Sequence, residues 1–131
     1  MTDDEIRIKI AKLKGYTFWD SLDKLGPWAK KGNPSSASYA GGIPLYKVES
    51  PKPDRVTWDD DDPNWPGDIG AAWELVEEMA EYSMQKSGRE VVAFLYPMKD
   101  SLKGFVGKSE TPARAICLAY IAWKGETAER P

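Results

Sequence analysis

The run from Thr111 to Trp123 (T-P-A-R-A-I-C-L-A-Y-I-A-W) constrains this fold more than any other part of the chain. Thr111 is a good helix N-cap, and Pro112 suits the first turn, where no backbone N–H is needed. The helix that follows is apolar nearly all the way round, and it ends near Lys124-Gly125. A helix with so little polar surface must be covered by other elements. The chain is therefore expected to form a packed domain rather than a tail or linker.

The 131 residues suit one domain with a single core, here 1–131, with a loop-rich segment at about 26–57. No apolar run approaches the roughly 20 residues that span a bilayer. The stretch Met1-Thr2-Asp3-Asp4-Glu5 is acidic, unlike a secretory or mitochondrial presequence. A cytoplasmic protein without a membrane segment is the expectation. The lone Cys117 has no partner for an internal disulfide, and in the most apolar helix it reads as a small buried thiol.

Charge is unevenly spread. Residues 57–90 hold ten acids and two bases, while the segments on either side carry a small positive excess. Binding to nucleic acid needs a dense basic face that displaces counterions, and no block of bases here is dense enough. Nucleic acid is not an expected partner. The acidic block reads as a solvated helix face and loop.

Helical spacing appears three times. Thr2 and Glu5 form a capping box for Ile6, Ile10 and Leu13, with Gly15 as the C-terminal stop. Asp68 caps a second helix with Ile69, Ala72, Trp73, Val76, Met79 and Ala80 on one face, expected to run on to just before Ser87-Gly88. The Thr111 helix is the third. Between them, Tyr16 to Trp19 opens a strand, Ile43 to Val48 belongs to a hairpin, and Val91 to Tyr96 is a continuous apolar strand. Its antiparallel partner is Lys103 to Lys108, across a turn at Met98-Lys99-Asp100. The expected class is α+β: a three-layer α–β–α sandwich with a small, mainly antiparallel sheet covered by helices.

Three segments carry a resemblance. They are the N-terminal helix ending in Gly15-Tyr16, the middle segment P-N-W-P-G-D-I-G-A-A-W-E from Pro63 to Glu74, and the Thr111 to Trp123 run. Together they resemble the small phage and prophage proteins of the phage ABA sandwich domain family. Residues 20–57 carry none of the likeness. The resemblance implies a helix–sheet–helix sandwich and a phage origin, hence the cytoplasm of a bacterial host. It implies no reaction and supplies no catalytic residues.

Histidine is absent, which removes the usual general base, the commonest metal ligand and every Ser-His or Cys-His pair. Gly41-Gly42 and Gly104-x-x-Gly107 lack the flanking pattern of a phosphate loop. The run Asp59 to Asp62 could offer oxygens to a hard cation with Asn64 and Asp68, but it does not match EF-hand spacing, and Pro63 stiffens it. No enzyme activity, metal or cofactor is expected.

Aromatic residues are the remaining signal. Trp73 and Trp123 fall on helices and read as core. Trp19, Trp28, Tyr39, Tyr46, Trp58 and Trp65 fall in or beside the loop-rich region, with Lys30, Lys31, Lys47, Lys52 and Arg55 nearby. Flat rings beside cations can stack a base and hold a phosphate. The same residues also suit a protein contact or a second small cluster under the loop. Arg114 lies in the first turn of its helix, against the dipole, where it either grips an anion or pairs with a carboxylate. The expectation is a non-enzymatic binding protein that sequesters a nucleotide-like immune signal of the host. Its candidate ligand-binding residues are Trp19, Trp28, Tyr39, Arg55, Trp58, Trp65 and Arg114. The alternative is an inhibitor whose acidic helix and Asp-rich loop meet a basic host protein. The surplus of apolar surface also suits a homo-oligomer.

Overall fold

The computed structural model describes residues 2–21, 27–31, 39–40, 43–98 and 104–129, with the side chains of 31, 39–40, 43–44 and 126–129 excepted. Gly41-Gly42 and most of the expected Met98-Lys99-Asp100 turn lie outside the described residues. The chain is α+β, with the order α1 (Asp3–Leu13), β1 (Tyr16–Ser21), β2 (Trp28–Lys31), β3 (Tyr39–Ala40), β4 (Ile43–Val48), α2 (Ile69–Val76), β5 (Glu81–Ser87), β6 (Glu90–Tyr96), β7 (Phe105–Ser109) and α3 (Pro112–Glu129). It forms two compact units, one of residues 1–10 with 63–131 and one of residues 11–62. The strands likewise form two antiparallel sheets, one of four strands and one of three, where one small sheet was expected.

The capping box of α1 is present. The Glu5 N–H donates to Thr2 Oγ1 at 3.2 Å, and the Thr2 hydroxyl donates to Glu5 Oε1 at 3.2 Å. Gly15 ends the helix at φ +91°, a conformation other residues adopt only with strain. Ile6 and Ile10 are fully buried, but Leu13 is exposed.

In the unit of residues 11–62 the strand order is β2-β1-β4-β3. Trp19 faces Trp28 across β1 and β2, and Asp20 faces Tyr46 across β1 and β4. A 3-10 turn at Pro53–Arg55 leads the chain back to β2. There Ala29 N–H donates to the Thr57 carbonyl at 3.2 Å, and Thr57 N–H donates to the Pro27 carbonyl at 2.8 Å. The outer edge of β2 is thereby occupied.

In the other unit the order is β5-β6-β7, with α3 packed on β6 and β7 and α2 packed on α3. Val91, Ala93 and Leu95 of β6 are buried and alternate with half-buried neighbours. Ala115, Ile116, Cys117 and Ala119 of α3 are fully buried, as an all-round apolar helix requires. Gly107 of β7, opposite Ala93, lets the α3 backbone come close: a β-carbon there would lie 2.0 Å from the Ala115 carbonyl oxygen. Among the described residues no helix is long and apolar enough to cross a membrane.

Two expectations for the middle helix are corrected. α2 ends at Val76, and Glu81–Ser87 is a strand rather than a continuation of the helix. All seven of its residues pair with Glu90–Tyr96 across the two-residue loop Gly88-Arg89. Gly88 takes φ +63°, as primed hairpin turns demand. The hairpin gives these backbone groups partners, whereas the apolar helical spacing offers only Met79 and Ala80 beyond Val76. Ala71, Ala72, Leu75 and Val76 form the buried face of α2, and Trp73 and Ile69 are exposed. Trp73 packs edge-to-face on Tyr82 of β5, with centroids 5.2 Å apart.

Candidate binding clefts

In the unit of residues 11–62, a cleft of about 210 Å³ opens where β1, β4 and the 3-10 turn meet. Asp20 and Tyr46, cross-strand partners, form one wall, and Val48 lies two residues along β4 from Tyr46. The strand pleat puts Tyr46 and Val48 on the same face. Lys52 and Arg55 bring two cations from the following turn, which the Arg55 N–H closes by donating to the Lys52 carbonyl at 3.0 Å. Asp20 is held by the backbone of the next residue, its Oδ1 accepting from Ser21 N–H at 2.8 Å. The Tyr46 side chain is 46% exposed. Two cations against one carboxylate leave the lining with a net positive charge. A half-exposed ring beside two flexible cations can lie against a planar group while meeting an anion.

Among the described residues proposed from sequence, only Arg55 lines this cleft. Trp19 lies within β1, is buried, and donates its Nε1–H to Thr17 Oγ1 at 2.8 Å. Trp65 is 2% exposed. Both were expected to offer a ring face to a ligand; both are interior side chains, because each ring is large enough to dominate a small core. Trp28 and Trp58 are half-buried, and Trp58 packs edge-to-face on Phe18 at 5.9 Å. Tyr39 stands opposite Pro44 in β3, and its side chain lies outside the described residues. Tyr46 and Lys52 were among the rings and cations noted in the loop-rich region but not among the candidate ligand-binding residues, and Asp20 was not noted at all. Strand alternation puts Asp20 on the opposite face from the adjacent, buried Trp19.

A second cleft, of about 1000 Å³, lies in the other unit over the first turn of α3. Arg89, Lys108 and Arg114 line it, but so do Asp3, Glu90 and Glu110, and the charges balance. Arg114 Nη1 pairs with Asp3 Oδ1 at 2.5 Å. Pairing with a carboxylate, one of the two roles expected of this arginine, is present. The Thr111 hydroxyl caps α3, accepting from Arg114 N–H at 3.3 Å.

Cys117 and Tyr120 are buried in α3. Burial pushes the Cys117 thiol up to about 12, with nearby Asp3 adding to the effect and Arg114 opposing it, so at neutral pH it is a protonated, inert thiol. Burial, and then the hydrogen bond from its hydroxyl to Glu78 Oε2 at 3.0 Å, raise the Tyr120 phenol above its ordinary range. The Asp59 to Asp62 run folds on itself: Asp59 N–H donates to Asp62 Oδ2 at 2.9 Å, and Asp62 N–H donates to the Asp59 carbonyl at 3.0 Å.

No protein-family profile, curated protein or solved structure matches this chain.

Proposed function

We propose that the protein is a phage-encoded binding protein that captures a small nucleotide-like signal in the cytoplasm of a bacterial host, without chemical turnover. The reading rests on one observation, the shared cleft of Tyr46, Lys52 and Arg55. Ring stacking is tolerant of base identity, and paired cations hold phosphate. The stacking role first ascribed to the buried tryptophans falls to Tyr46. A volume of about 210 Å³ encloses one ring system and leaves the rest of a nucleotide at the cleft mouth. A thermal-shift screen of the full chain tests this, with nucleoside monophosphates, cyclic dinucleotides and NAD-derived cyclic nucleotides as probes. A stabilisation that rises with ligand concentration supports capture. Flat curves for every probe remove it.

A second reading, inhibition of a basic host protein, is favoured by the exposed trio Ile69, Trp73 and Tyr82 with Glu74, Glu77 and Glu81 around it. Apolar anchors ringed by one sign of charge are a common form of contact surface. Replacing Glu74, Glu77 and Glu81 by Lys together should then abolish pull-down of a host partner. A pull-down left unchanged by that variant contradicts this reading.

A further inference from the structure

We infer that β5 is a self-pairing edge, through which two copies of this chain join their three-stranded sheets into one of six. β5 ends the order β5-β6-β7, and six of its seven residues are exposed, with Met84 half-buried. It carries no proline and its pairing with β6 shows no bulge; of the edge-blunting devices it has only the charges Glu81 and Lys86, which the pairing below uses. Natural proteins blunt exposed edges with such devices. The outer edge of β2, by contrast, is bonded to the Thr57 backbone. β7, at the far side of the same sheet, is shorter and has Gly107 at its centre, which weakens strand pairing.

The hairpin fixes which backbone groups of β5 point outward. In a two-residue hairpin the residues flanking the loop form a hydrogen-bonded pair, here Ser87 with Glu90. Ser87, Gln85, Ser83 and Glu81 therefore direct their backbone groups to β6. Lys86, Met84 and Tyr82 direct theirs outward, unused by the sheet.

A two-fold axis at Met84 makes this outward edge complementary to itself. Tyr82 then stands opposite Lys86 of the second copy, Ser83 opposite Gln85, and Glu81 opposite Ser87. No like charges face each other. Glu77, Glu78 and Glu81 make the start of β5 acidic, while Lys86 and Arg89 outnumber Glu90 at its other end. Antiparallel pairing brings each acidic end beside a basic one. On one face of the sheet, the second copy's Lys86 ammonium would reach the Tyr82 ring that Trp73 already supports edge-to-face. A two-fold contact of this kind closes as a dimer, which accounts for the exposed Trp73–Tyr82 pair without calling on another protein.

Sedimentation velocity of the full chain over a range of concentrations tests the pairing. The wild type should sediment as a dimer. Met84→Pro removes an outward N–H that β6 does not use, so it should give a folded monomer with an unchanged circular dichroism spectrum. Lys86→Glu sets like charges at both ends of the contact and should raise the dimer dissociation constant at least tenfold. It decides the matter should Met84→Pro fail to fold. A monomeric wild type at every concentration overturns the inference, whether or not another protein takes the edge. So does a dimer that a folded Met84→Pro leaves intact, or that Lys86→Glu does not weaken.

Discussion

Gly107 of β7 lies so close to Ala115 of α3 that a β-carbon on it would stand 2.0 Å from the Ala115 carbonyl oxygen and 2.5 Å from the Ala119 nitrogen. Both obstacles are helix backbone, which cannot swing aside as a side chain can. The contact sets how closely the most buried helix approaches its sheet.

Gly107→Ala should therefore destabilise the fold by about 3 kcal/mol, at the upper end of overpacking costs, because α3 must move as a unit. A drop of roughly 10 °C in Tm by differential scanning calorimetry is expected. An unchanged Tm would mean that α3 is not held at this distance.

The cap of α2 offers a milder perturbation. Asp68 Oδ1 accepts from Gly70 N–H at 2.9 Å, satisfying a donor at the start of an eight-residue helix. Asp68→Ala should cost about 1 kcal/mol and Asp68→Asn much less, measured by urea denaturation. Equal losses for the two would point to the charge rather than the cap.

The local grammar of the chain was legible. Thr2 with Glu5, Gly15, Asp68 and Thr111 marked helix ends that the structure reproduces, because caps and positive φ depend on neighbouring residues alone. Val91 to Tyr96 announced a strand through its continuous apolar run. β5 was hidden because only Tyr82 and Met84 are apolar on it and because it follows a helix with no intervening breaker. Two seven-residue segments separated by Gly88-Arg89 were the clue to its hairpin. The candidate site was less legible. Trp19 and Trp65 announced themselves by ring size, yet ring size also drives burial, and it was the smaller Tyr46 that stayed at the surface. Which strand pairs with which brought Asp20, Tyr46 and Arg55 to one cleft, and pairing between distant segments is not written in local pattern.

Alkaline pH should destabilise the protein through α3. Cys117 titrates near 9 when unfolded and near 12 when folded, and Tyr120 is displaced in the same direction. The unfolded chain thus releases its protons first. The stability linked to these groups is complete below about pH 9 and is lost as pH rises toward 12. Urea midpoints should fall progressively above pH 9, and Cys117→Ala should flatten that slope. Ellman's reagent should leave the native thiol unmodified at pH 8 and react at once in denaturant. Rapid native labelling would show the thiol to be accessible.

Titration calorimetry of a stabilising nucleotide against the wild type and Arg55→Glu decides whether the cleft of residues 11–62 captures an anion. Arg55 is exposed, so the variant should keep the wild-type Tm without ligand. Arg55→Glu should weaken binding by at least about tenfold, roughly 1.4 kcal/mol, and Tyr46→Ala should weaken it similarly. Binding of equal affinity in wild type and Arg55→Glu would contradict capture by this cleft.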